Sequence, residues 1–243
     1  MPTVLILGAT SDIGFAIARK FAAEKFDVQL AGRNTEQLKP LQSDIEIRTG
    51  ARCSIHSFDA LDFASHARFY ESLPLRPDVV IYVIGYMKEN EEVIRDWNQT
   101  LQTINTNYTG AVSILNIVAA DFETRNSGVI AGISSVAGNR GRQSNYVYGS
   151  AKAGFTAYLS GLRNRLYHHK VHVLTVLPGF VYTKLTEHLK LPPLLTARPE
   201  QVAEAVYKGV KRRKNIIYVK WFWRWIMLII TSIPESIFKK RKL

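Results

Sequence analysis

Tyr148 and Lys152 stand four positions apart, in Tyr148-Gly149-Ser150-Ala151-Lys152. On a helix that spacing stacks a phenol and an ammonium on one face, one turn apart. A phenol ordinarily keeps its proton to near pH 10. A cation beside it favours the phenolate and lowers that pKa. Such a pair can donate a proton to a carbonyl that is being reduced. Taken alone, a Tyr and Lys at this spacing read as a surface pair, so the rest of the chain has to decide.

The elements that would position the pair alternate without interruption. Apolar runs at Thr3–Leu7, Asp27–Ala31, Arg52–Ser57, Val79–Ile84, Gly128–Ile133, Val171–Leu177 and Asn215–Val219 read as strands, several as fully buried ones. Segments of helical period lie between them, at Ile13–Glu24, Thr35–Thr49, Asp62–Ser72, Glu89–Asn105, Thr109–Asn126 and Asn145–His168. A further helix opens at Pro199, a residue suited to the first helical position. This pattern predicts an α/β fold, a doubly wound, Rossmann-type sheet of seven parallel strands. Residues 1–219 form one dinucleotide-binding domain and residues 220–243 a basic, amphipathic tail. In such sheets ligands bind beyond the carboxyl ends of the strands.

Those ends carry glycine, small and polar residues. After the first strand comes Gly8-Ala9-Thr10-Ser11-Asp12-Ile13-Gly14, a turn into a helix whose free N–H groups and positive dipole end suit a pyrophosphate. The alternative is a plain turn with a Ser/Asp cap. After the second come Arg33 and Asn34, where a dinucleotide's adenosine ribose is read. Arg33 suits a 2′-phosphate, so NADPH is preferred, with NADH the alternative and a solvated arginine the plainer reading. After the third come Asp59 and Ala60, where the acid can take an adenine amino group or cap a helix. Gly85, Ser134-Ser135, and Pro178-Gly179 with Val181 and Thr183 follow the remaining ends.

The combination resembles the short-chain dehydrogenase/reductase family over residues 3–219. It rests on the glycine turn, Asp59, Asn107-Tyr108-Thr109-Gly110, Ile133-Ser134-Ser135, Tyr148 with Lys152, and Pro178-Gly179. Ser135 precedes Tyr148 by thirteen residues, the usual family spacing, which selects it over Ser134. The resemblance implies an NAD(P)H-dependent oxidoreductase. Tyr148 gives its proton to the carbonyl oxygen, and Ser135 hydrogen-bonds that oxygen. Lys152 lowers the Tyr148 pKa and holds the nicotinamide ribose, and Asn107 holds a water linking Lys152 to solvent. Gly8, Thr10, Ser11, Asp12, Ile13, Gly14, Arg33, Asn34, Asp59, Ala60 and Gly85 join Pro178, Gly179, Val181 and Thr183 as cofactor contacts. It also implies a homodimer or homotetramer formed through the helices near 109–126 and 145–168. Three stretches depart from the family pattern: Leu7 replaces a threonine, Asp12 replaces the second glycine, and Tyr82-Val83-Ile84-Gly85 replaces Asn-Asn-Ala-Gly. The stretches 8–14, 145–152 and 233–239 resemble the decaprenylphosphoryl-2-keto-ribose reductase subgroup, whose members reduce a 2-keto sugar on a polyprenyl phosphate. A reductase of acyl or sphingoid ketones is the alternative enzyme, and a dinucleotide-sensing binding protein the non-enzyme alternative.

Charge is concentrated at one end. The net charge is +12, and residues 211–243 carry ten Lys or Arg against one Glu. These basic residues flank Trp221, Phe222, Trp223, Trp225 and Ile226–Ile230. Arg224 and Pro234 bracket only nine residues, whereas a bilayer span needs about twenty. The tail therefore reads as a helix lying in a membrane surface, with Trp at the headgroups and cations drawn to anionic lipid. Packing at a subunit interface is the alternative, and the interleaved aliphatics argue against nucleic acid. A single cysteine, Cys53, and a beginning without a basic n-region predict a cytoplasmic protein, peripheral on the membrane. His168, His169 and His172 lack a partner at metal-ligand spacing, so no metal site is expected. In the loop 184–198, His188 and the leucines Leu185, Leu189, Leu191, Leu194 and Leu195 are candidates to touch substrate.

Overall fold

The computed structural model describes residues 1–184, 186–187 and 190–241. Leu185, His188 and Leu189 of the expected substrate loop, and Lys242 of the terminal basic run, lie outside the described residues. The chain opens with β1 (Thr3–Leu7), α1 (Asp12–Ala23), β2 (Asp27–Gly32), α2 (Lys39–Thr49) and β3 (Cys53–Ser57). It continues through α3 (His66–Glu71), β4 (Val79–Tyr82), α4 (Asn90–Arg95), α5 (Trp97–Ile104), α6 (Gly110–Arg125) and β5 (Val129–Ile133). Then come α7 (Tyr146–Leu166), β6 (His172–Pro178), β7 (Phe180–Val181), β8 (Thr196–Ala197), α8 (Pro199–Lys211) and β9 (Ile216–Val219). The tail forms α9 (Trp223–Ser232) and α10 (Glu235–Phe238).

Seven parallel strands pair in the order β3-β2-β1-β4-β5-β6-β9, as the alternation predicts. The strand order reverses between β1 and β4, which opens a crevice at their carboxyl ends. Register keeps those ends level: Leu7 pairs with Ala31 and Tyr82, and Tyr82 with Gly132. Successive side chains of β1 feed opposite cores. Val4 and Ile6 pack with Ile17 and Phe21 of α1 and Val202 and Val206 of α8. Leu5 and Leu7 pack with Ile114 and Val118 of α6 and Phe155 and Leu159 of α7. Leu7, the departure from the family's threonine, is thus a fully buried core residue.

Three details differ from the sequence reading. The expected helix 89–105 is broken at Asp96, which is extended and accepts a hydrogen bond from Asn98 N (2.9 Å). Aspartate at this position caps the second helix better than it continues the first. Past α5 the chain makes a π-helical turn, Asn105–Thr109, carrying Asn107. Such single π turns often mark functional sites. The Pro-rich loop also contains the short β7–β8 pair.

Candidate active site

The half of the crevice over β1–β3 is built from turns. Gly8 has φ +102°, and a Cβ there would stand 2.7 Å from Ile84 Cγ1, so only glycine fits this crossing. Ser11 caps α1: its Oγ accepts from Gly14 N (3.0 Å) and donates to Gly8 O (2.9 Å). Thr10 and Ser11 face a recess lined also by Gly8, Arg33, Asp59, Ala60 and Gly85. Gly14 and Asn34 do not line it. Asn34 instead accepts from Glu36 N (3.1 Å), a local cap. Arg33 is exposed and pairs with no carboxylate among the described residues. Asp59 Oδ1 accepts from Leu61 N (3.0 Å), which closes a local turn and does not cap a helix, because the next helical turn starts only at Phe63. The Asp59 turn is held from behind by His66, fully buried between Asp59 O and Ser113 Oγ (both 2.9 Å). Nothing in the sequence reading pointed to His66. Asp12 turns away from the recess and accepts from Lys184 N (2.7 Å). It ties the loop after β7 to the glycine turn, a role no glycine could fill.

At Gly85 this recess meets a second cavity, which holds Ser135, Tyr148 and Lys152. Asn107 Oδ1 and Lys152 Nζ lie 3.4 and 3.8 Å from where a Cβ on Gly85 would stand. Asn107 is fully buried and bonds both backbone groups of Tyr86, accepting from N (3.2 Å) and donating to O (2.6 Å). Its amide is therefore occupied in fixing the wall of the crevice. The two serines separate by partner. Ser134 Oγ is spent on Lys152 O (3.0 Å) and Thr156 Oγ1 (2.7 Å). Ser135 Oγ accepts from Ala137 N (3.1 Å) and stands beside the phenol.

Lys152 is 3% exposed and donates to Ile133 O (3.1 Å). Its Nζ sits 5.8 Å from the centre of the Tyr148 ring. Burial pushes the ammonium down to about 7. Burial also pushes the Tyr148 phenol up to about 12, against the pull of Ser135. The expectation that Lys152 lowers the Tyr148 pKa is not met in this structure. The cavity that gathers the pair withdraws both from water, and that desolvation is the leading cause of each shift.

The far side of the cavity is made by Pro178, Gly179, Val181 and Thr183, joined by Met87, Arg142, Asn145, Phe180 and Trp223. Trp223 comes from the tail. Its indole packs against Gly179, where a Cβ would stand 2.0 Å from Cε2, and its Nε1 donates to Leu195 O (3.1 Å). Arg140 clamps the same tail. Its Nη1 donates to Ile230 O (2.9 Å), Thr231 O (3.1 Å) and Ile233 O (2.6 Å), and its guanidinium covers Phe238 at 3.8 Å. The sequence reading missed Met87, Arg142 and Asn145, because loop residues carry no periodicity. It placed Trp223 on the tail without placing it in the site.

The two recesses joined at Gly85 give a groove with a helix start, a free arginine and a proton donor along its length, which fits a nicotinamide dinucleotide. Comparison with known proteins agrees. The short chain dehydrogenase family pattern matches residues 2–192. An uncharacterized oxidoreductase of Mycobacterium tuberculosis is 32% identical over 98% of this chain and 96% of its own. A serine 3-dehydrogenase of Agrobacterium fabrum is 30% identical over 86% of this chain and 81% of its own. A short-chain dehydrogenase from Sphingobium yanoikuyae, solved in complex with NADPH, superposes with a TM-score of 0.83 at 24% identity, over 97% of this chain and 98% of that one. The chain belongs to the short-chain dehydrogenase family and is an NAD(P)-dependent oxidoreductase.

Proposed function

We propose that this protein is an NADPH-dependent ketoreductase working at a membrane surface on a lipid-carried ketone. The observation that carries this reading is the two-sidedness of α9. Trp223 and Met227 are buried, with Trp223 in the wall of the Ser135–Tyr148 cavity. On the same helix Trp225, Leu228 and Ile229 are 54%, 54% and 67% exposed. Arg224, Lys239, Lys240 and Arg241 stand exposed on α9 and the segment that follows it. Each such cation contributes about 1 kcal/mol near an anionic lipid surface. Among the described residues no helix is long and apolar enough to cross a membrane, which suits a helix lying in the interface. A cytoplasmic face agrees with the lone Cys53.

Arg33, free and exposed at the end of β2, supports NADPH over NADH, because a guanidinium suits a 2′-phosphate. When bound, the cofactor supplies hydride to the carbonyl carbon. The chain's own residues handle the oxygen. Tyr148 Oη donates its proton to it, and the Ser135 hydroxyl donates a hydrogen bond as negative charge develops there. Lys152, whose pKa burial pushes down to about 7, returns a proton to the phenol. Asn107 holds the wall at Tyr86, against which the cofactor would lie.

The resemblance at 8–14, 145–152 and 233–239 supports a 2-keto sugar on a polyprenyl phosphate as the ketone. The test is NADPH oxidation on anionic vesicles carrying a polyprenyl-phosphoryl 2-ketopentose, with acyl and sphingoid ketones and NADH in parallel. The reading expects turnover of the sugar lipid that needs the vesicles and is lost in Tyr148→Phe. Turnover of the acyl or sphingoid ketone alone would reassign the substrate, and equal rates with and without vesicles would remove the membrane from the account.

A further inference from the structure

Arg140 and Arg142 sit two residues apart in the loop between β5 and α7, and they are treated in opposite ways. Arg140 has both Nη groups engaged, on three tail carbonyls and Glu235. Arg142 makes no side-chain hydrogen bond or ion pair among the described residues, and its Nε is buried without a partner. Asn145 Oδ1, one turn further on, is also buried and unpartnered. Both residues line the cavity that holds Ser135, Tyr148 and Lys152. Among the described residues that lining contains two cationic side chains, Arg142 and Lys152, and no carboxylate.

Arg142 is half-buried with its Nε withdrawn from water, and a guanidinium so placed without a counter-charge is unfavourable, so proteins ordinarily pair it. Arg163 shows the ordinary solution here: it is partly withdrawn from water and is bonded to Val173 O, Thr175 Oγ1 and Asn215 O. Burial holds the Arg142 pKa below its usual value, as it does that of Arg163, so what sets the two apart is the hydrogen bonding and not the burial. The groups that would satisfy Arg142 and Asn145 are an anion and a hydroxyl, and the cavity is where a substrate sits.

We propose that the ketone substrate carries an anionic group, a phosphate ester or a carboxylate, which Arg142 binds inside the cavity while Asn145 accepts a hydrogen bond from a substrate hydroxyl. This rests on the reading of the Ser135–Tyr148 cavity as a ketone-reducing site, and it adds the substrate's charge. A guanidinium meets the two oxygens of either anion with a forked pair of hydrogen bonds. The keto group would then be presented to Tyr148 from a fixed anchor, with the apolar remainder of the molecule leaving past Phe180 and Trp223.

The test compares ketones that differ only in the anion: a polyprenyl-phosphoryl 2-ketopentose against the free 2-ketopentose, and acetoacetate against its methyl ester. The wild-type enzyme is expected to prefer the anionic member of at least one pair by about 30-fold in kcat/KM, the size of a charge-assisted contact. Which pair shows it separates a phosphate from a carboxylate. In Arg142→Gln that ratio is expected to collapse toward one through KM, and Arg142→Lys to restore part of it. A wild-type enzyme that prefers the neutral member of both pairs overturns the proposal, as does an Arg142→Gln variant that keeps the ratio. Calorimetry with methyl phosphate and with acetate, on protein saturated with NADPH, separates this proposal from the ketoreductase reading. Binding of either anion that Arg142→Gln abolishes supports the anion site even if no ketone is turned over, and no binding of either anion to the wild type overturns it.

Discussion

The two recesses that meet at Gly85 are made by different means. The one over β1–β3 is assembled from consecutive residues: the glycine turn, Arg33 directly after β2, and Asp59 two residues beyond β3. Apart from the exposed Arg33, its polar groups are satisfied locally, by the Ser11 cap, the Asp59 turn and His66 behind it. The other is assembled from segments far apart in the chain: Met87 after β4, Arg142 before α7, Gly179 after β6, and Trp223 from the tail. Its polar groups are left partly unsatisfied. A finished recess matches a ligand that is the same across a family, and an unfinished, mostly apolar one matches a ligand particular to this protein. The difference also predicts unequal adjustability, because short turns between paired strands have little freedom, whereas α9 is held by Trp223 and Met227 on one face and by Arg140 at its end.

The largest expected effect breaks the second recess and spares the first. Tyr148→Phe removes the proton donor while keeping the ring, and reduction should slow by about 10³-fold, within the range for general acid catalysis. NADPH binding, followed by quenching of protein fluorescence, should stay within about threefold if the Lys152 ribose contact and the distant Arg33 end carry most of it. A variant with wild-type rates would show that proton donation comes from elsewhere.

Lys152 gives a second break, read as stability and not as rate. Its pKa is lowered by burial from 10.5 to about 7 in the folded chain. Below about pH 7 both folded and unfolded chains hold the proton, and the folded state bears the whole penalty of a buried charge. Between about 7 and 10.5 the folded chain has released the proton and the unfolded chain has not. Stability therefore rises with pH across that window, by up to about 1.4 kcal/mol per pH unit. Lys152→Met removes this slope. The stability gained by the variant at pH 7 should shrink by about 2 kcal/mol at pH 9 in urea unfolding. A pH-independent difference would mean that Lys152 stays charged in the folded chain.

Arg33 probes the first recess alone. Arg33→Ala should lower the ratio of kcat/KM for NADPH over NADH by about 30-fold, the value of one charge-assisted phosphate contact. An unchanged ratio would return Arg33 to the role of a solvated arginine and would move 2′-phosphate recognition elsewhere.

The contrast between the recesses also explains what was legible in the sequence. The seven strands were readable because parallel strands buried on both faces are uninterrupted apolar runs, and the glycine turn because φ +102° at Gly8 restricts the residue type. Ser135 over Ser134 was readable from spacing, and the structure gives Ser134 other work. Arg142 and Asn145 were not readable, because their significance is the absence of a partner, which only packing reveals. Asp12 and His66 were misread or missed for a related reason: each bonds a backbone group whose position depends on the fold. Asp96 was hidden inside a helical period, where a cap on the second helix looks like a polar residue within one long helix.

The smallest expected effect sharpens the idea that the second recess is adjustable. Arg140 joins the loop between β5 and α7 to the tail through three carbonyls and Glu235, with Phe238 beneath the guanidinium. Its hydrogen bonds satisfy carbonyls at the end of α9, which would otherwise be orphaned there. Arg140→Ala removes them but leaves Trp223 on Gly179 and Met227 in its small core with Val136 and Leu177. The fold should hold, with global stability down by only about 1 kcal/mol, since carbonyls facing solvent can turn to water. The change should be local. Backbone amides of residues 226–238 should exchange with solvent about five- to tenfold faster, while those of β1 and β4 stay as protected as before. If the tail is the adjustable wall of the substrate cavity, KM for the ketone should rise a few-fold and that for NADPH should not. Faster exchange spread over the whole sheet would instead mean that the tail is part of the main core, and the two recesses would then be equally rigid.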